Sequence, residues 1–172
     1  AADGRLLFSA LAAKGRSLWV VPSSGDRTAR LYLEATGGAG IASAAFSPDG
    51  RWIAFASSEL GPTEIFITPS DRGAGRQRVS TGGGGQPRWG RNGSELYYLS
   101  SGRTVMAASI ATAPGLSIGT PRLLFSAAAG TDIRSFDVTR DGERFLLLTR
   151  DDEAARPRIT VTTRWTARTK EK

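Results

Sequence analysis

The sequence predicts an all-β chain built as a β-propeller, about three and a half four-stranded antiparallel blades forming a partial ring. Three observations carry this. An Asx-Gly dipeptide recurs at Asp3-Gly4, Asp49-Gly50, Asn92-Gly93 and Asp141-Gly142, with separations of 46, 43 and 49 residues. Short apolar runs flank the copies, and no window carries the i, i+3, i+4, i+7 stripe of an amphipathic helix. A repeat of about 40–50 residues made of short strands is the signature of a propeller blade.

Each repeat is read from its turn outward. In FSPDGRWIAF, Phe46 to Phe55, the Asp-Gly pair stands between two apolar runs, which predicts a two-residue type I′ hairpin. An apolar residue follows each turn glycine by three places: Leu7, Ile53, Leu96 and Phe145. Another precedes three of the glycines by four places: Phe46, Trp89 and Val138. A third run follows as SLWVV, EIFIT, TVMAA and RITVT, and a fourth closes three repeats from Arg30, Arg78 and Arg122. The repeats are expected at about 1–40, 41–83, 84–130 and 131–166, with a polar tail at 167–172.

Several runs are apolar at consecutive positions, as in Trp52-Ile53-Ala54-Phe55 and Leu146-Leu147-Leu148. A strand wet on one face would alternate; a blade packed between two neighbours buries both faces. Arg30, Arg78 and Arg122 are then edge charges that discourage pairing with another chain. Trp19, Trp52, Trp89 and Trp165 lie on or beside strand-like runs and are expected to pack rather than to form a sugar platform.

The first repeat lacks its initial strand and the last lacks its fourth. Propellers close with 4–8 blades, so the chain is expected to be the C-terminal part of a larger ring whose remaining blades are its first partners. A self-contained four-bladed ring, its two ends completing one sheet, is the rival arrangement. Unfinished sheet edges predict association or poor solubility.

The chemistry of the residues narrows function by exclusion. The chain has no His and no Cys, which removes Ser-His-Asp and Cys-His nucleophile systems, imidazole metal ligands and disulfides. No catalytic, cofactor-binding or metal-ligating residue is singled out. The run TGGGGQPRW, Thr81 to Trp89, lacks the Lys-Ser/Thr of a phosphate loop and is expected to be a flexible connector. The acidic run Asp151 to Glu153 lacks the spacing of a calcium loop. Net charge is +7, from twenty Arg and three Lys. Such a balance suits either a polyanion surface or a GC-rich genome that writes Arg for Lys. Arg51, Arg72, Arg76, Arg91 and Arg144 fall in or beside loops on one end of the ring and form the candidate anion-binding face. Acidic residues lie among them, so a protein or small ligand is expected and nucleic acid is not. Nothing in the sequence marks a membrane contact.

FSPDGRWIAFAS followed by EIFITPSD resembles the TolB-like, WD-related propeller repeat. The third and fourth copies read GRNG and TRDG in place of SPDG. FDVTRDGERFLLLTR and RITVTTRWTA resemble the last blade of propellers fused to bacterial membrane-anchored serine/threonine kinases, with Arg164 where those carry Asn. The resemblance implies a non-catalytic, extracytoplasmic sensory or protein-binding propeller without cofactor. Free periplasmic TolB-like proteins and the gating propellers of prolyl-oligopeptidase-type peptidases share these repeats.

Overall fold

A computed structural model describes residues 3–36, 39–71, 75–127, 131–139, 141–151 and 158–163, with 131, 151 and 158–163 described by backbone alone. The described residues form four antiparallel sheets in chain order and no helix. The first holds β1 (Leu6–Ala12), β2 (Gly15–Val21) and β3 (Arg30–Leu33). The second holds β4 (Ile41–Phe46), β5 (Trp52–Ser57), β6 (Glu64–Pro69) and β7 (Gln77–Arg78). The third runs β8 (Gly84–Trp89), β9 (Glu95–Ser100) and β10 (Val105–Ala111). Its outer position is divided: β11 (Ser117–Ile118) pairs with one end of β10 and β12 (Arg122–Phe125) with the other. The fourth holds β13 (Thr131–Val138), β14 (Arg144–Asp151) and β15 (Arg158–Thr163). Every sheet is a meander, and the turn glycine stands just ahead of β1, β5, β9 and β14. The first sheet therefore begins at the position that β5 holds in the second.

The turns differ from the two-residue hairpin that the sequence suggests. Positive φ falls on the glycine alone, at 78°, 72°, 72° and 75° for Gly4, Gly50, Gly93 and Gly142. Gly50, Gly93 and Gly142 donate back to the carbonyls of Ser47, Gly90 and Thr139 at 2.9, 3.0 and 2.9 Å. An outer bond such as Ser47 N–H to the Trp52 carbonyl, 2.9 Å, closes a wider loop. The reason is the Asx side chain. In all four copies its Oδ1 accepts the amide two residues on, from Arg5, Arg51, Ser94 and Glu143, at 3.0–3.1 Å. That local bond competes with the tighter turn and wins. Partial burial raises the Asp49 carboxyl, yet hydrogen bonds from Ser47 and Arg51 hold it below its usual range.

The sheets stack face to face, with a core at each junction. Ile53, Phe55 and Phe66 meet Leu18 of the first sheet. The intervening Ala54 and Ala56, with Ile65 and Ile67, meet Leu96, Tyr98, Ala108 and Ile110 of the third. On the other side of that sheet, Tyr97, Leu99, Val105 and Ala107 pack on Ile133, Phe136, Phe145 and Leu147. This is why β5 and β9 read as continuous apolar runs: alternate side chains enter different cores. Trp52 and Trp89 pack on the middle core, and the Trp89 indole donates across the junction to the Ala45 carbonyl at 3.2 Å. Trp165 lies outside the described residues.

Candidate functional site

The first strands of the last three sheets, β4, β8 and β13, depart from regular pairing. Each is bulged: pairing jumps between Ala42 and Ala45, between Gly85 and Arg88, and between Ile133 and Ser135. Ser43 and Gln86, both seven residues before a turn glycine, have φ of 47° and 54°. A left-handed backbone on a residue with a side chain costs on the order of 1 kcal/mol and is tolerated where neighbours fix it. For Gln86 the neighbours are visible. Its Nε2 donates to the Arg134 carbonyl at 2.9 Å, and its Oε1 accepts the Ser135 hydroxyl at 2.8 Å. Arg88 reaches Asp137 at 3.3 Å, and Arg134 pairs with Asp132 at 3.0 Å.

A cleft of about 550 Å³ opens at one end of β8. Its walls are Pro62 to Glu64 at the start of β6, the glycines 82–85, and the β9–β10 turn around Ser100, Ser101 and Arg103. The glycine run is fastened, not a flexible connector. Buried Glu64 accepts the amides of Gly82 and Gly83, each at 3.1 Å, together with the Ser80 hydroxyl. Ser80 in turn accepts the Ile65 amide at 2.8 Å. A Cβ on Gly84 would stand 3.0 Å from Ile65, Ser80 and Tyr98, so a side chain there would push on all three and glycine suits this close approach of β8. Arg103 has φ of 58° and projects from its turn toward Asp132 of the next sheet, Nε to Oδ1 3.7 Å.

The basic face anticipated from the sequence is divided. Arg51, Arg91 and Arg144 are exposed beside the Asx-Gly turns, and Arg51 is paired with Asp49 at 2.7 Å. Arg72 lies outside the described residues. Arg76 turns away from that end, crosses the Phe66 ring at 5.2 Å and pairs with Glu59 at 2.5 Å. Glu59 is 6% exposed in its side chain and also accepts the Thr36 amide and hydroxyl, which ties the first sheet to the second. Burial raises its carboxyl, but the bonds from Arg76, Thr36 and Ser57 outweigh this and leave it below its usual range.

Sequence reasoning did not find Ser43, Gln86, Glu64 or Arg103. For Gln86 a signal existed, because the bulge places it at the same offset from the turn as Ser43. Nothing local marks the Arg103–Asp132 pair, whose members belong to different repeats. Among the described residues no group of three or more acidic side chains could hold a metal ion. Asp151 is described by backbone only, and Asp152 and Glu153 lie outside the described residues. No helix there is long and apolar enough to cross a membrane. With Glu64 fully engaged, the cleft offers shape, a cation and hydrogen bonds.

Four antiparallel meanders stacked face to face, three of them opening on a bulged strand, define a β-propeller. The family model for the lipoprotein LpqB β-propeller domain matches residues 17–163, and the chain belongs to that family. TolB from Acinetobacter baumannii superposes with a TM-score of 0.68 at 16% identity, over 93% of this chain and 38% of that one. A putative TolB from Agrobacterium tumefaciens gives 0.66 at 16% identity, over 94% of this chain and 58% of that one. A puromycin-hydrolyzing peptidase from Mycobacterium tuberculosis gives 0.55 at 14% identity, over 88% and 28%. At these identities the likeness is one of fold. The chain thus spans 38% and 58% of these two solved TolB structures, less than two thirds of either. No curated protein matches it.

Proposed function

We propose that this chain is a non-catalytic binding module, part of an extracytoplasmic propeller in a larger bacterial protein, with the propeller over 1–166 and a tail at 167–172. The carrying observation is the wall of the cleft. Its polar groups are fixed by one another, as Glu64 is by three donors and Gln86 by two partners, while a cleft of about 550 Å³ stands open beside them. Such a surface presents a shape for recognition and no activated nucleophile. The lipoprotein family and the likeness to TolB support a place in the cell envelope. Further blades of the same ring cover the exposed Leu6 and Phe8 of β1 and Leu146 and Leu148 of β14. A kinase parent rests on the C-terminal sequence resemblance; a free TolB-like interaction propeller is favoured by the structural likeness.

The test is direct. The intact gene product is fractionated and its sequence ahead of Ala1 determined, and the purified chain is assayed against ester, peptide and glycoside substrates. Envelope location with no hydrolysis supports the proposal. Turnover by this chain, or a peptidase domain in the parent, overturns it.

A further inference from the structure

We infer that the cleft beside β8 takes a carboxylate-bearing peptide segment, gripped by the Arg103 guanidinium. This rests on the binding-module proposal and specifies its ligand. Four of the six polar side chains that line the cleft are engaged with the fold, which leaves the Thr63 hydroxyl and Arg103. Glu64 is consumed by Ser80, Gly82 and Gly83. Both polar atoms of Gln86 are engaged with β13. The Ser100 hydroxyl shares a hydrogen with Thr104 at 2.8 Å, and the Ser101 hydroxyl donates to the Gly82 carbonyl at 2.7 Å.

Arg103 is different. Its side chain is 45% exposed, and among the described residues it meets only Asp132, through Nε at 3.7 Å. That separation is longer than a hydrogen bond of about 2.7–3.2 Å. Arg134 holds the other oxygen of Asp132, Oδ2, at 3.0 Å, while the buried Oδ1 that faces Arg103 has no hydrogen-bond partner. Arg103 lines the cleft, and its two outer nitrogens have no acceptor among the described residues. A carboxylate matches the planar guanidinium fork in two parallel bonds. The left-handed φ of 58° that aims it is the kind of backbone cost retained at recognition sites. The cleft volume falls within the roughly 300–1,000 Å³ of ligand sites, enough for a few residues, and Leu99 with the bare glycines 83–85 gives it a floor suited to an extended backbone.

The carboxylate can come from a side chain or from a chain terminus, and the experiment separates these. Amide spectra of the isotopically labelled chain are recorded with four probes: Ac-Gly-Ala-Asp-Ala-NH2, its Asn counterpart, Ac-Gly-Ala-Ala as the free acid, and inorganic phosphate. The expected result is saturable shifts at residues 82–86 and 99–103 with the Asp peptide, the free acid, or both, and about tenfold weaker binding for Arg103→Gln. Arg103→Lys should fall between, since it keeps the charge without the fork. Gly85→Leu is the independent variant: a Cβ there meets nothing within 4 Å, so the cleft wall accepts a side chain, which should abolish the shifts by occupancy while the rest of the spectrum is retained. Equal binding of the Asn peptide, saturation by phosphate but by neither acid peptide, or no shift with any probe overturns the proposal. So do shifts centred on Arg51, Arg91 and Arg144, which would leave the binding-module reading standing and move its site to the other end.

Discussion

The sheet faces inside the stack and those at its two ends have the same strands and opposite surroundings. In β5 and β9 every second residue enters one core and the residues between enter another, so Ala54, Phe55, Tyr97 and Tyr98 are all 2% exposed or less. In β14 only half of this is seen: Phe145 and Leu147 are buried, whereas Leu146 and Leu148 are 46% and 41% exposed. In β1 Leu7 packs inward while Leu6 stands 65% exposed. The strands themselves are therefore alike, and what changes is the presence of a neighbour. A blade's stability belongs to its junctions.

The largest expected effect follows from that. Phe145 is fully buried and has Tyr97, Phe125 and Phe136 around it, at 5.1, 5.2 and 6.4 Å between ring centroids. Phe145→Ala should cost about 3–5 kcal/mol in urea unfolding. Leu148→Ala, three residues along the same strand on the uncovered face, should cost under about 1 kcal/mol. Similar losses for the two would mean that the ends of the stack are covered in solution.

Next in size is the glycine clamp. Glu64→Ala leaves the Gly82 and Gly83 amides and the Ser80 hydroxyl without their acceptor, which should cost about 2–3 kcal/mol. Glu64→Gln, which keeps a carbonyl oxygen, should cost less. Because Gly82 to Gly84 wall the cleft, the same variant should broaden the amide signals there. An unchanged spectrum would show that the tight packing of Gly84 alone holds β8.

These two regions also mark what the sequence makes legible. The turn series and the apolar positions three after each glycine specify strand order and which residues are buried, because both follow from local periodicity. The turn type is not legible, since an Asp or Asn oxygen that captures the amide two residues on is a side-chain choice that the dipeptide does not display. The cleft was invisible for another reason. Glu64 looks like any strand-opening Glu, and its partners lie 16 to 19 residues away in a run that reads as flexible. Arg76 looked like a loop cation, yet its guanidinium is turned to Glu59 by a contact no local pattern encodes.

A smaller effect distinguishes the first junction by pH. The folded-state pKa of Glu59 lies below its ordinary value of 4.5. Its contribution is therefore fully present above that value and is lost as pH falls through the lowered one. Between neutral pH and pH 5 the difference in stability between wild type and Glu59→Gln should be flat, and below about pH 4.5 it should narrow. A gap that does not change through this window would show that the charge on Glu59 adds nothing to the hydrogen bonds it accepts.

The smallest expected change in stability accompanies an informative change in association. Leu6→Ser and Leu146→Ser remove exposed side chains and should alter unfolding by no more than about 0.5 kcal/mol. Their faces belong to different sheets, so a contact between the first sheet of one copy and the last sheet of another is heterologous and does not close by itself. Sedimentation of the unmodified chain should then show species that grow with concentration, and either substitution alone should stop the growth, because each blocks one half of the same contact. If Leu6→Ser alone has an effect and the largest species is a dimer, first sheets are pairing with first sheets. The two ends would then differ in more than the absence of a neighbour, and the likeness between them drawn from β1 and β14 would fail.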